Sequence, residues 1–458
     1  MLKILSQILN YLKTQNFFWL FFLISTGVLS TWLAAFYPGI MTPDSIDQWQ
    51  QASTLSISNW HPYLSTLYIG LLKGIANTPA SIAVLQIIWT SILFAYAFNY
   101  FLQKGATRGL VITLFIILTT SIPIGLYTIT LWKDIPFALA LVSAGFLVSK
   151  ALFDKQFPNI FGLLLFLTIA SFFRHNGAIN LLIFPFAIII LFYKQYRKKI
   201  YQFLSGLVII CFLVIVVMPF LLKIKEVPTW FTAGPIYYET VSYLKVLPTK
   251  DHHQRLSPET IASLTKIMSL DNLLKSFDPQ SAEPLLFSPH ITPGALDDTE
   301  IWSNLRKEFW RYNLLRNFNL FLSNRTTLFI TSTLGYGAIS ANDIYPNNLG
   351  LKTTPLIESL KLWLGNISTF VGNNTILQHL VWNSLFSIII QFLIVINSWY
   401  KKKIASFFFS TLIIINCISL ATFNVAGDWR YYYFAYLACF FIIPFFSMES
   451  KKQNNVTS

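Results

Sequence analysis

The sequence predicts an all-α protein that crosses a membrane about ten times. Three observations support this fold class. Hydrophobic residues make up 54% of the 458-residue chain and charged residues only 11%. The mean hydropathy is +0.56, and the apolar residues are gathered in long runs. The basic residues lie mostly in alternate loops between those runs.

Ten apolar runs approach the length of about 20 residues that a helix needs to cross a bilayer. Most are long enough on their own. The runs that begin at Ile135, Phe157, Ala178 and Tyr431 are shorter or interrupted and need flanking residues. The predicted spans cover residues 17–37, 80–102, 110–128, 135–152, 157–173, 178–193, 201–222, 380–398, 404–423 and 431–446.

The distribution of Lys and Arg predicts the orientation of these spans. With a cytoplasmic N-terminus, the cytoplasmic segments contain only two acidic residues, Asp154 and Glu449. Their basic residues are Lys3, Lys13, Lys104, Arg108, Lys150, Lys155, Lys194, Arg197, Lys198, Lys199, Lys401, Lys402, Lys403, Lys451 and Lys452. Because cytoplasmic loops are enriched in Lys and Arg, we expect both termini to be cytoplasmic. Most of the net charge of +14 then lies on the cytoplasmic rim of the protein, which faces anionic lipid headgroups. No nucleic-acid partner is therefore expected.

The spans divide the chain into three predicted domains. Residues 1–222 form a membrane module with seven spans, of which the first is too long for a signal peptide and is expected to be retained. Residues 223–379 form a mostly helical extracytoplasmic domain, in which Leu320–Leu334 is too polar to be a span. Residues 380–458 form a second membrane module with three spans. The three cysteines fall inside spans, where they pack as small apolar residues.

The first extracytoplasmic loop, residues 38–79, carries two carboxylates three positions apart, Asp44 and Asp47. On a helical turn they would share a face. Thr42 and Pro43 before them are typical of a helix start, so Asp44 could also be a first-turn acid that favours the helix dipole. Asp47 could equally lie on a solvated face. Gln48 and His61 complete the polar residues that we single out in this loop.

Three short extracytoplasmic turns carry the other candidates: Lys133 and Asp134, then Arg174, His175 and Asn176, and finally Asp428 and Arg430. Each has a structural alternative, such as a helix cap at Asp134 or a local Asp428–Arg430 contact. The cytoplasmic loops, in contrast, are almost purely basic. One shared extracytoplasmic site would explain this sidedness, since ionisable groups at membrane depth are costly and usually functional.

The chemistry of these residues suits a phosphorylated lipid substrate. A carboxylate can act as a general base or bind a divalent cation, and Arg and Lys bind phosphate. No Walker motif, Gly-rich nucleotide loop or Gly-x-Ser-x-Gly elbow occurs in the sequence. A donor substrate at this face would therefore be carried by a lipid.

A cytoplasmic N-terminus, a first span and an acidic motif in the first outer loop resemble the multi-pass GT-C glycosyltransferases. The motifs Pro38 to Ser45, Trp60-His61-Pro62, Leu131 to Asp134 and Arg174 to Gly177 look like those of a bacterial family of GT-C-like membrane proteins. These motifs cover the N-terminal 180 residues or so. The resemblance implies a GT-C-like architecture in the bacterial cytoplasmic membrane.

The resemblance also implies an activity. A sugar would pass from a polyprenyl-phosphate donor to an envelope glycan, lipid or protein, with Asp44 as the catalytic base. Lys133, Arg174 and Arg430 would hold the lipid phosphate, and His61 or His175 would bind the sugar or assist proton transfer. Many relatives have an Asp-Glu pair where this chain has Asp44-Ser45. Use of Mg²⁺ or Mn²⁺, which Asp44 would bind, is therefore left open.

The remaining candidates for substrate binding are Asp47, Gln48, Asp134, Asn176 and Asp428. Two other functions stay open on the sequence. One is a metal-independent lipid-linked glycan ligase or polymerase, in which Arg174 and His175 handle a lipid diphosphate. The other is a lipid or glycan transporter, although its ionisable groups would be expected nearer the middle of the membrane.

Overall fold

The computed structural model describes residues 16–227, 230–246, 255–335 and 343–457. Within these ranges every regular element is a helix, and the β contacts are isolated bridges. Lys3 and Lys13, which contribute to the predicted orientation, lie outside the described residues. So do His252 and His253, to which the sequence assigns no function.

Seven helices of the described chain are long and apolar enough to cross a membrane, or eight if one bent pair counts as a span. The first module contains α1 (Phe18–Ala35), α2 (Pro43–Thr54), α3 (Tyr63–Ile75), α4 (Ala80–Gln103), α5 (Arg108–Thr120), α6 (Ile122–Thr128), α7 (Asp134–Asp154), α8 (Ile160–Phe172) and α9 (Asn180–Phe212). The bent pair is α5 and α6, which meet at 53°. The short helices α2 and α3 lie in the loop of residues 38–79, between α1 and α4.

The predicted number of about ten spans is not reached by these criteria. The helix α8 has 13 residues and is too short to be counted. The segment His175–Leu221 is a single candidate of 47 residues, which as a straight helix would be roughly 70 Å long. Its backbone is non-helical at Tyr196, where two helices join.

The region after α9 is helical, as predicted. It contains α10 (Trp230–Val246), α11 (Pro258–Ile267), α12 (Leu270–Ser276), α13 (Glu283–Leu286), α14 (Thr299–Glu308) and α15 (Phe318–Thr333). A π-helical turn (Phe309–Asn313) follows α14. The polar segment Leu320–Leu334 largely coincides with α15, which packs against α10 and the second membrane module.

The second membrane module begins with a broken helix. After α16 (Glu358–Asn373) and α17 (Thr375–Val381), the backbone breaks at Trp382 and Asn383. The predicted span of residues 380–398 nevertheless lies within one candidate membrane span, Thr375–Tyr400. The spans α18 (Ser384–Tyr400), α19 (Ile404–Phe423) and α20 (Tyr433–Thr457) follow.

The bundle core is built from interlocking aromatic rings. Phe98 of α4 packs against Phe115 of α5 at 5.5 Å and against Phe441 of α20 at 5.9 Å between ring centroids. Phe101 packs against Phe445 at 5.0 Å. Because lipid tails are as apolar as these side chains, such close packing is what holds the helices together. It brings the last span, α20, beside α4 and α5.

The two ends of the bundle differ in charge. We call one end the site side, where the connections are residues 36–79, 129–133, 174–179 and 424–432. We call the other end the basic side, where the connections are residues 104–107, 155–159 and 401–403. The helices α10 to α15 lie on the site side, where they contact residues 424–432.

Candidate active site

The first carboxylate lies at the start of a short helix, as the sequence predicts. Thr42 precedes α2, Pro43 is its first residue, and the Ser45 hydroxyl accepts a hydrogen bond from the Thr42 amide at 3.4 Å. The Trp132 indole donates to the Thr42 hydroxyl at 2.7 Å. This contact places the turn that carries Lys133 against the helix start that carries Asp44.

Asp44 lies between two cationic side chains. Its Oδ2 accepts a hydrogen bond from Arg430 Nη1 at 3.1 Å and lies 3.9 Å from Lys133 Nζ. Burial alone would raise the pKa of Asp44, but the positive charges of Lys133 and Arg430 outweigh burial and hold the pKa below its usual value. Asp44 is therefore ionised, and its carboxylate can accept a hydrogen bond at neutral pH.

A chain of polar contacts leads from Lys133 to the second carboxylate. Lys133 Nζ lies 3.1 Å from His61 Nδ1, and His61 Nε2 lies 3.5 Å from Asp47 Oδ2. Burial and the charge of Lys133 lower the pKa of His61 well below its usual value. His61 is thus neutral at pH 7. With Lys133 donating to Nδ1, we assign the imidazole proton to Nε2.

Arg430 is held by a second acid in the same turn. Its Nε lies 2.7 Å from Asp428 Oδ2, and its guanidinium stacks over the Trp132 ring at 4.8 Å. Burial raises the pKa of Asp428 to about 6, against the opposing effect of Arg430. The predicted local contact between Asp428 and Arg430 is present. It coexists with the contact from Arg430 to Asp44.

The turn after α8 brings in a third cation. Arg174 forms a buried ion pair with Asp134 and donates from Nε to Asn176 Oδ1 at 3.0 Å. Its guanidinium lies over the Tyr431 ring at 4.8 Å. His175 Nε2 lies 3.3 Å from the Trp60 carbonyl oxygen. Arg174 is therefore fixed in place by an acid, an amide and an aromatic ring.

These side chains share one cavity of ≈ 220 Å³. The candidates from four separate loops that line it are Asp44, His61, Lys133, Arg174, His175, Asn176 and Arg430. The region between the membrane modules adds Pro235, Glu283, Leu286 and Phe287 to its wall, and α19 adds Leu420 and Phe423. No local signal in the sequence points to these six residues, because only the tertiary fold brings them to the cavity.

Four sequence candidates lie outside the lining of the cavity. Asp134 is almost fully buried beneath Arg174, and Asp428 lies beside Arg430. Asp47 is half exposed and accepts a hydrogen bond from Gln51 at 2.8 Å. Gln48 is buried and donates to the Ser65 hydroxyl at 2.6 Å. Three of these side chains contact lining residues: Asp134 contacts Arg174, Asp428 contacts Arg430, and Asp47 contacts His61.

The residues around Asp44 do not fit a divalent cation. The Asp44 carboxylate faces Arg430 and Lys133, which a cation would have to displace. No group of three His, Cys, Asp or Glu side chains in the described chain could hold a metal ion.

Protein-family models, curated proteins and solved structures were compared with this chain, and none of them matches it.

Proposed function

We propose that this protein is a GT-C-type membrane glycosyltransferase that moves a sugar from a polyprenyl-phosphate donor to an acceptor of the bacterial cell envelope. The observation that carries this proposal is the position of Asp44. It is an ionised carboxylate in a cavity that also contains three cationic side chains and two histidines. The cavity lies at the end of an apolar helix bundle, where a lipid phosphate would reside.

In the proposed reaction, an acceptor hydroxyl oxygen attacks the anomeric carbon of the donor sugar. The new carbon–oxygen bond forms as the bond to the phosphate oxygen breaks, and its electron pair leaves with polyprenyl phosphate. The hydroxyl proton passes to Asp44. In the free protein Asp44 is a weak base, because Lys133 and Arg430 lower its pKa. A donor phosphate would engage both cations, and the pKa of Asp44 would rise once that charge is shared.

The cationic residues would bind and orient the phosphate. Arg174 and Arg430 each have a paired carboxylate, Asp134 and Asp428, which fixes the plane of the guanidinium. Lys133 is half-buried and contacts both Asp44 and His61. A phosphate in the cavity could therefore accept hydrogen bonds from three sides without a rearrangement of the backbone. The neutral His61 could hydrogen-bond a sugar hydroxyl.

An apolar groove supports a lipid-borne donor. It lies between α9 and α19, measures ≈ 650 Å³ and is lined by residues such as Ile179, Phe186 and Ile415. Ile179 ends the 3-10 turn that begins at His175, so the groove starts next to the polar cavity. A prenyl chain could lie in the groove while its phosphate reaches Arg174.

We also propose the topology that this function requires. Ten spans result if α8 crosses the membrane with flanking residues and if the segment His175–Leu221 is two spans that join at Tyr196. Lys194, Arg197, Lys198 and Lys199 surround that junction, as expected for a cytoplasmic turn. The site side would then face away from the cytoplasm of a bacterial cell.

Deleting the protein from its host and restoring it tests the proposal. Mass spectrometry of the polyprenyl-phosphate lipids and of the envelope glycans gives the readout. We expect one lipid-linked sugar to accumulate and one envelope sugar to disappear on deletion, and both changes to reverse on restoration. Unchanged lipids and glycans would refute the proposal. Accumulation of a whole oligosaccharide on lipid diphosphate would favour a ligase or polymerase.

A further inference from the structure

The helices α16 and α17 expose an unusual amount of apolar surface. Leu362 and Trp363 of α16 are 59% and 60% exposed, and Phe370 is 64% exposed. On α17, Ile376 and Leu380 are 73% and 70% exposed. Large contiguous apolar surfaces of this kind mark contacts with protein or membrane. The opposite face of α16 is occupied, because that helix packs against α1.

Both ends of this pair of helices lie on the site side of the bundle. Before α16, the Leu356 amide donates to the Ala34 carbonyl oxygen at 2.9 Å, at the site-side end of α1. After α17, the Trp382 ring packs against Trp429 at 4.9 Å and against Tyr127 at 5.6 Å. The chain therefore enters and leaves at the same level and does not cross the bundle between these points.

The polar side chains of α17 define where the helix sits. Gln378 Nε2 donates to the Gly335 carbonyl oxygen at 3.0 Å, and His379 Nδ1 lies 2.7 Å from the Leu334 carbonyl oxygen. These bonds tie α17 to the end of α15, which belongs to the polar region on the site side. Ile376 and Leu380 are left exposed, at the boundary between that region and the spans.

We propose that α16 and α17 form a hairpin seated in the lipid leaflet on the site side, with the acyl chains of phospholipids as its partner. Continuity with the spans favours lipid over a protein partner. The face of Ile376 and Leu380 runs directly into α18, whose Phe386 is 61% exposed, and α17 and α18 together form one candidate membrane span, Thr375–Tyr400. An apolar face beside a span is within reach of the acyl chains.

The hairpin is also connected to the candidate active site. Residues 343–356, which lead into α16, lie along the first loop. Tyr345 N donates to the Met41 carbonyl oxygen at 2.9 Å, and Thr354 N donates to the Tyr37 carbonyl oxygen at 2.7 Å. Lys361 of α16 pairs with Asp343 at 2.7 Å. A hairpin seated in lipid would thus set the depth at which the Asp44 loop is held.

Site-directed spin labelling of the full chain in lipid nanodiscs tests the proposal. Nitroxides at Trp363→Cys and Phe370→Cys are compared with Leu23→Cys on the exposed face of α1 and Lys307→Cys on the exposed face of α14. The natural cysteines are replaced by alanine. We expect both hairpin labels to collide with oxygen more than with a water-soluble nickel chelate, as at residue 23, whereas residue 307 shows the reverse.

Two results would overturn the proposal. One is nickel accessibility at residues 363 and 370 equal to that at residue 307, which would place the hairpin in water. The other is spin–spin broadening between copies that persists at high lipid-to-protein ratio, which would make the face a protein interface. If the cysteine-free chain does not insert, quenching by brominated lipid in wild type and Trp363→Phe reads the same contact. None of these readouts needs glycosyl transfer, so this proposal and the proposed function can fail separately.

Discussion

At the residue scale, the cations around Asp44 decide its chemistry. Lys133 and Arg430 keep the carboxylate ionised when no substrate is present. They also make it a weak base until another anion draws their charge away. A donor phosphate would be such an anion. Donor binding would thus activate the base in the same step that positions the leaving group.

The pH dependence of activity follows from Asp428. Its pKa is raised to about 6 by burial, so as the pH falls through about 6 it gains a proton and no longer pairs with Arg430 as an anion. A hydrogen bond between charged groups contributes about 1.5–3 kcal/mol, so we expect transfer to slow by roughly tenfold or more below pH 6. Asp428→Asn should show the slow rate already at pH 7.5 and no change across this range. If Asp428→Asn still loses activity below pH 6 as the wild type does, Asp428 is not the origin of that loss.

The sequence signal for these residues is local. Thr42 and Pro43 begin a helix by their own backbone chemistry, and the sidedness of charge singled out Asp44, Lys133 and Arg430. The buried position of Gln48 was not predictable from the sequence. It depends on contacts with Ser65, in another helix, and hydropathy gives no information on such contacts.

At the element scale, a buried ion pair joins the polar region to the last loop of the site. Arg325 of α15 pairs with Glu239 of α10, and its Nη1 donates to the Asn424 carbonyl oxygen at 2.6 Å. Asn424 follows the last residue of α19, where a cation also favours the helix dipole. The loop from residue 424 therefore reaches Asp428 and Arg430 with its first residue fixed.

Removing one partner of this pair should be costly. Arg325→Met leaves Glu239 buried without its cation, and we expect a loss of about 3–5 kcal/mol in the free energy of unfolding. The double variant Glu239→Leu with Arg325→Met should recover most of that loss, because no buried charge is left. Thermal unfolding of the single and double variants in detergent measures the coupling. Strictly additive effects would show that the two side chains do not stabilise each other.

The turn that carries Arg174 and His175 depends on a close approach at Gly177. A Cβ there would lie 2.4 Å from the Ala170 carbonyl oxygen, which belongs to the backbone of α8. Gly177→Ala must therefore displace the turn, at a cost of about 1–3 kcal/mol, and activity should fall with it. Gly74→Ala, at the end of α3 with open space around it, is the matched control. It should leave both the stability and the activity unchanged. Equal effects of the two substitutions on activity would contradict this role of the turn.

The hydropathy pattern predicted most of the candidate spans but not the exposed apolar face of α16. The helix α16 has charged and polar residues among its apolar ones, and only its position beside α1 reveals an apolar outer face. The break at Trp382 was likewise missed. The Trp382 ring at this break packs against Trp429, a contact between distant parts of the chain.

At the scale of the whole molecule, one cavity joins all three predicted domains. Asp44 and Lys133 come from the first module, Glu283 from the region between the modules, and Arg430 from the second module. The alternation of apolar runs predicted that the short polar loops meet at one end of a bundle. The intervening region also contacts these loops. Those contacts join residues far apart in sequence, and composition does not predict them. The number of spans stays a prediction, because α8 is short and the long segment bends at Tyr196.

The central claim is that Asp44 is the base of a glycosyl transfer, and one comparison tests it most directly. Wild type, Asp44→Asn and Asp47→Asn are produced at equal levels in membranes and supplied with the lipid-linked sugar extracted from cells that lack the protein. Transfer of that sugar to envelope material is measured by mass spectrometry. We expect Asp44→Asn to lose roughly 10²- to 10⁴-fold in rate, as for removal of a general base, while Asp47→Asn, on the same helix but half exposed, stays within a few-fold of wild type. Full transfer by Asp44→Asn would contradict the account.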